Sequence, residues 1–234
     1  MEADIPKNLF IRELASRHRV ILLGGMAIIA HGLARQTKDY DIWLEPFGSE
    51  EDWADHLMQV CNRFAEGSFW SLARQCRINT ATEVAMDAGV FGVIRVMGFG
   101  LPVDVFRKPN ELEIEDFERV WTGAKRMEDG VALPNEIDLY ITKANTGREH
   151  DLQDQVFLEG RVKNRFRERL PVCDVAEAKD MLDRFLDPEV LQFALGNPHS
   201  DVRELALFLL KEFEAEGDPF SRDILALERL RNGG

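Results

Sequence analysis

Residues 20–44, VILLGGMAIIAHGLARQTKDYDIWL, constrain this chain more than any other segment. The apolar run Val20–Leu23 reads as a short buried strand that Gly24-Gly25 ends in a tight turn. Met26, Ile29 and Leu33 share one face at helical spacing, so 26–33 reads as a helix. Asp39 and Asp41 head a second apolar run, Ile42-Trp43-Leu44, which Pro46 and Gly48 stop. Glycine where a strand becomes a helix lets the backbone approach a phosphate, and the free N–H groups of the helix start point at the anion. Asp39 and Asp41 are two apart, so in an extended segment their carboxylates share a face. Such a pair repels itself and calls for a cation. Oxygen ligands suit Mg2+, which takes one or two carboxylates together with substrate phosphates. Glu113/Glu115 and Glu214/Glu216 have the same spacing but read as solvated surface. Asp39 and Asp41 abut a buried element, where uncompensated carboxylates are costly.

A third acid would complete a two-metal site. Asp104 lies inside the β-rich run 101–106, against strand propensity. A ligand role accounts for it, and so does a strand-edge position meeting solvent or an arginine. Asp87 is the fallback.

The remaining pattern is mixed. A helix is expected over 6–17, with Pro6 near its start, and another from Ser49 to about Ala65, with Asp52 completing a capping box. Residues 68–87 are ambiguous. Val90–Met97 and Leu101–Phe106 read as a hairpin around Gly98–Gly100. Pro134 opens a helix to about Asn145, Gly147 breaks it, and a further helix covers 149–159. Beyond Gly160 the pattern is helical, broken at Pro188, at 196–198 and at 217–219. Strands before 135 and helices after it give an α+β or α/β-like chain with a helical tail, divided between 160 and 172.

Asp and Glu number 42 against 29 Lys and Arg, a net charge of −13. This argues against a generally basic nucleic-acid binder or a polybasic membrane protein, while leaving room for a local basic groove. The basic run 161–169 is the candidate, against a solvated helix face. Three cysteines without CxxC spacing, an N-terminus unlike a signal peptide and no bilayer-length apolar run lead to the expectation of a cytoplasmic protein. The histidines lack zinc-site spacing, and neither GxSxG nor GxxxxGK[ST] occurs. His31 reads as a helix-packing residue, and Phe64, Phe69 and Trp70 as core rather than base-stacking rings.

Gly24-Gly25, the helix after it and Asp39-x-Asp41 resemble the signature of the nucleotidyltransferase superfamily. Gly25-x-Ala27, then His31-Gly32-x-x-Arg35-x-Thr37-x-Asp39-x-Asp41, is similar more narrowly to small bacterial nucleotidyltransferases of abortive-infection and toxin–antitoxin systems. Lys143, then Gly147-Arg148-x-x-Asp151-x-x-Asp154, resembles a second motif of that group. More distantly the chain resembles aminoglycoside nucleotidyltransferases. The resemblance implies a nucleotidyltransferase fold, a twisted mixed sheet flanked by helices, over 1–165, with a helical C-terminal region over 166–234. It implies a nucleoside triphosphate such as ATP, two Mg2+ held by Asp39, Asp41 and Asp104, and phosphate contacts from Gly24, Gly25 and Lys143. Arg35 and Thr37 would brace the turn or touch phosphate. Arg148 with Asp151 and Asp154 would join two helices. The implied acceptor is tRNA, a protein or a small molecule such as an aminoglycoside, and a cognate toxin or antitoxin is an implied partner. A fold kept as a binding or antitoxin module without turnover is the alternative.

Overall fold

The computed structural model describes residues 8–144 and 149–232. The expectations for Pro6, Asn145, Gly147 and Arg148 fall outside them. Two compact units divide at Leu158/Glu159.

The first unit is built on one mixed sheet. Its strands are β1 (Val20–Leu23), β2 (Tyr40–Leu44), β3 (Ser68–Ser71), β4 (Cys76–Ile78), β5 (Val93–Met97), β6 (Val103–Phe106), β7 (Lys125–Arg126) and β8 (Ala132–Leu133), in the order β4-β3-β5-β6-β2-β1-β8-β7. The β1–β8 and β2–β6 pairs are parallel and the other pairs antiparallel. Its helices are α1 (Leu9–Ala15), α2 (Gly24–Ala30), α3 (Glu50–Cys61), α4 (Ala81–Phe91), α5 (Asp116–Gly123), α6 (Glu136–Lys143) and the start of α7 (Glu149–Arg169). Asp52 completes the capping box with Ser49 at the head of α3, and Thr80 with Glu83 repeats the device on α4. The ambiguous stretch 68–87 contains β3, β4 and most of α4.

Val90 and Phe91, expected in a strand, are the last turn of α4. Gly92 at φ +71° stops the helix, and β5 starts at Val93. Trp43 fills the centre of the unit: it is fully buried, meets Phe117 edge-on at 5.1 Å, and donates its indole N–H to the Arg107 carbonyl at 3.0 Å. Truncating such a side chain costs about 3–5 kcal/mol.

Register sorts two cross-strand rows onto opposite faces of the sheet. Ile78, Phe69, Val96, Val103 and Tyr40 face one another from β4 to β2, and all are buried. One residue along, Arg77, Trp70, Arg95, Asp104 and Asp41 form the parallel row on the other face. Asp104 therefore stands directly opposite Asp41, although 63 positions separate them in sequence.

The second unit holds the rest of α7 with α8 (Val175–Arg184), α9 (Pro188–Ala194), α10 (Ser200–Ala215) and α11 (Pro219–Asn232). Gly160 does not end a helix; α7 runs through it to Arg169. Pro188 occupies the first turn of α9. The Gly196-Asn197-Pro198 break is pinned by buried Asn197, whose side-chain amide donates to the carbonyls of Leu170 (2.6 Å) and Cys173 (2.9 Å). Two members of the expected basic run, Lys163 and Arg169, are engaged in ion pairs. Lys163 meets Glu159, Asp187 and Glu189 within 2.9 Å, Arg169 pairs with Glu177 at 2.7 Å, and Arg167 lies over the Phe193 ring. Cys61, Cys76 and Cys173 are free thiols. Among the described residues, no helix is long and apolar enough to cross a membrane.

Candidate functional site

Asp39 lies just before β2, Asp41 inside it and Asp104 on the neighbouring β6, so three carboxylates meet at one end of the sheet. The carboxyl of half-buried Asp41 is pushed up to about 7. Burial is the largest cause, and repulsion from Asp39 and Asp104 adds to it; Lys143 and Arg95 act in the opposite direction. The crowding expected of Asp39 and Asp41 is thus present, and Asp104 contributes to it.

A cation already stands among these acids. Arg95, across the β5–β6 ladder from Asp104, donates to it from Nε at 2.6 Å and from Nη2 at 2.7 Å, and reaches Asp39 from Nη2 at 3.3 Å. A bidentate guanidinium on a buried carboxylate is among the stronger polar contacts in proteins. Among the described residues, no group of three or more His, Cys, Asp and Glu is gathered so as to hold a metal ion. Asp39 and Asp41 offer hard oxygens that could hold a divalent cation together with substrate phosphates, although Arg95 already reaches Asp39 and the costly charge is that of Asp41. Asp104 can join them only if Arg95 moves.

The two glycines are explained by side chains. Gly24 has φ +54°, and a Cβ there would collide with the Asp41 carboxylate. A Cβ on Gly25 would come within 2.6 Å of Arg35 Nη2 and Thr37 Oγ1. The Gly-Gly turn is therefore packed against the segment that carries the acids. Thr37 Oγ1 donates toward the Asp39 carbonyl at 3.3 Å, bracing the turn into β2.

Arg35 and Lys143 converge on two buried acids. Arg35 Nη1 donates to both oxygens of Asp154 (2.6 and 2.5 Å); Lys143 Nζ meets Asp151 at 2.6 Å and Asp154 at 3.2 Å. This network ties the start of α7 to α6 and to the segment before β2. It also holds Lys143 close enough to act on Asp41. His31 joins α2 to the start of α6 through the Pro134 carbonyl (2.9 Å) and Glu136 (3.6 Å). Asp87, the fallback third acid, is buried in a pair with Arg74 at 2.9 Å.

Sequence reasoning missed Arg95. Its signal was available: three residues before Gly98, it must face the residue three after Leu101 in a tight hairpin, and that residue is Asp104. Trp70 also departs from expectation. Phe69 is core, but Trp70 points to the face of the acids and is 36% exposed. No protein-family model matches the chain and no curated protein matches it significantly, so the site stands on the geometry of its own residues.

Proposed function

We propose that the chain is a Mg2+-dependent nucleotidyltransferase of the nucleotidyltransferase fold, similar to the small bacterial enzymes named above, and that it works in the cytoplasm. The observation that carries this reading is the meeting of Asp39, Asp41 and Asp104 beside a Gly-Gly turn, with Asp41 raised to about 7. Asp39 and Asp41 would hold the cation. When bound, it neutralises the triphosphate and stabilises charge developing on the leaving group. In the reaction an acceptor hydroxyl oxygen bonds to the α-phosphorus as the bond to the β-phosphate oxygen breaks. Pyrophosphate leaves, and the hydroxyl proton passes to solvent. Gly24 and Gly25 leave room for phosphates, and Lys143 supplies positive charge on the side of Asp41. Asp104 accepts two hydrogen bonds from Arg95, so that it holds the guanidinium beside the reacting phosphate. A second metal at Asp104 requires Arg95 to release it.

That contact also favours a second reading, a binding or antitoxin module without turnover, because Arg95 already compensates one acid. Incubation with each labelled triphosphate, Mg2+ and tRNA, protein or aminoglycoside acceptors decides between them. Label transfer that vanishes in Asp39→Ala supports the enzyme. Metal-dependent triphosphate binding without transfer supports the module. Absence of triphosphate binding refutes both.

A further inference from the structure

At the other end of the sheet from the acids, the chain after α1 and the second half of α3 flank a recess of about 170 Å³. It is lined by Arg17, His18, His56, Gln59, Val60 and Arg63. Arg17 and His18 precede β1, which carries the chain away to Leu23, the residue paired with Asp41. The three steps from Val20 to Leu23, about 3.3 Å each, put about 10 Å between the two ends of that strand. What the recess holds is therefore independent of the reaction proposed above.

The walls are basic although the chain is acidic. His56, Gln59 and Arg63 recur at helical spacing, on one face of α3 and the turn after it. Arg17 Nε and Arg63 Nη1 share one carboxylate oxygen, Glu13 Oε1, at 3.1 and 2.6 Å. Their other N–H groups have no acceptor among the described residues. Arg19, by contrast, is taken up by Glu45 and Glu118. His18 stacks on Phe47 at 4.6 Å, and His56 meets the two rings edge-on at 5.7 and 5.0 Å, so packing fixes both imidazoles beside the guanidiniums. His56 Nδ1 lies 2.8 Å from the Asp52 carbonyl, which only accepts. Nδ1 therefore donates, and Nε2 has no partner among the described residues. The side chains of His18 and Gln59 have no hydrogen-bond partner among them either.

We propose that this recess binds a tetrahedral oxyanion of the phosphate class, as the free ion or as the phosphoryl end of a small organic molecule. Two guanidiniums against one carboxylate leave positive charge in it, which repels a metal ion and attracts an anion. A planar carboxylate is matched by the fork of a single arginine. Donors that arrive from two elements around one space instead suit an anion whose oxygens point in several directions. The volume, that of about five or six waters, fits a small ion with part of its hydration and falls below the roughly 300 Å³ where pockets for larger ligands begin. The imidazoles belong to the same device. Burial and the His56 ring push His18 below the ordinary imidazole value of 6.5; Glu45 acts the other way, and Arg17 adds to the lowering. The charged groups around the two rings are Glu13 and Arg17 beside α1, Glu45 after β2, Asp52 at the head of α3, and Arg63 after it. An anion among them offsets the repulsion between the rings and Arg17, so anion binding and imidazole protonation favour each other. Sulfate keeps its charge between pH 8 and pH 6, so its affinity rises as pH falls. A phosphate monoester, with a second pKa of about 6, loses charge in the same range and binds best between those limits.

The test is NMR of the full chain labelled with 13C-histidine, titrated in EDTA at constant ionic strength with sulfate, inorganic phosphate, ribose 5-phosphate and acetate. Saturable sulfate binding is expected to raise the pH midpoints of His18 and His56 and to leave those of His31 and His199 in place. Sulfate affinity is expected to rise by roughly 3- to 10-fold from pH 8 to pH 6. Arg17→Gln with Arg63→Gln changes two exposed side chains, and thermal unfolding checks that the double variant folds. It is expected to bind sulfate roughly 5- to 25-fold more weakly, at most about fivefold for each exposed charge. Ribose 5-phosphate binding more tightly than inorganic phosphate assigns the recess to the phosphoryl end of an organic molecule; equal affinities assign it to the free ion, and both bear the proposal out. Absence of saturable sulfate and phosphate binding at pH 6 overturns it. So does wild-type affinity in the folded double variant, acetate binding as tightly as sulfate, or an equal rise in all the histidine midpoints, which would mark general screening in place of a site.

Discussion

Asp41→Asn should stabilise the metal-free protein, and by an amount that depends on pH. Asparagine keeps the shape that Gly24 accommodates and removes the charge. In the wild type the folded-state value of about 7 lies above the ordinary 3.8. Between those values the folded state holds a proton that the unfolded chain has lost. Stability therefore falls as pH rises from about 4, and the loss is complete just above pH 7. At about 1.36 kcal/mol per unit the difference reaches about 4 kcal/mol. This is an upper bound, because half-buried Asp41 retains some solvent screening. The Asp41→Asn variant carries no such loss. In EDTA, urea unfolding of the two proteins should give similar midpoints near pH 4, and a gap that opens to several kcal/mol by pH 8. The corresponding thermal shift is at most about 8–16 °C, at roughly 2–4 °C per kcal/mol for a chain of this size. Added Mg2+ at pH 8 should raise the wild-type midpoint and close much of the gap, because a divalent cation supplies the missing compensation. Curves that stay parallel from pH 4 to pH 8 would refute the crowding of Asp41 by burial, Asp39 and Asp104.

Three further perturbations examine the contacts around that carboxylate. Arg95→Met strands Asp104 without its bidentate partner and should destabilise by about 2–4 kcal/mol, discounted for the partial exposure of Arg95. Asp104→Asn in the same chain should recover much of the loss in a double-mutant cycle by urea unfolding. Arg95→Met should also bind Mn2+, followed by its electron paramagnetic resonance, more tightly than the wild type; equal affinities would mean that Arg95 does not compete for the acids. Asp154→Ala leaves Arg35 and Lys143 without their shared acceptor and should cost about 3–5 kcal/mol, read as a lowered unfolding midpoint. Gly24→Ala combines a left-handed backbone with a clash against Asp41, so it should lower the unfolding midpoint and abolish label transfer together.

Legibility in the sequence followed how local each physical cause is. The Gly-Gly turn and Asp39-x-Asp41 were readable because a glycine and two like charges at fixed spacing carry their reason within a few residues. Asp104 was readable because an aspartate inside an apolar strand needs a partner, but whether that partner was a metal or an arginine could not be read without the hairpin register. β3 and β4 were not readable. Ser68–Ser71 and Cys76–Ile78 are too short for a period to show, and β3 is fixed by pairing with β5, more than twenty residues away. Register decides which of Phe69 and Trp70 enters the core, so Trp70 could not be told from a core aromatic by its sequence neighbours. The Arg35–Asp154 pair spans 119 positions, and no local pattern announces it.

Arg95 links the acids to the rest of the sheet face. Placed by the hairpin opposite Asp104, it compensates that acid with two hydrogen bonds, reaches Asp39 at 3.3 Å and leaves Asp41 as the acid whose charge is most costly. Among the described residues no three-acid group is gathered to hold a metal ion, and at this place in the sheet an arginine stands among the acids instead. On one side it confines the demand for a divalent cation to the pair nearest the glycine turn. On the other side of Arg95 the same row continues through Trp70 to Arg77. In a chain with a net charge of −13, the proposed triphosphate would depend on such local compensation, because every additional uncompensated carboxylate on that face would repel it.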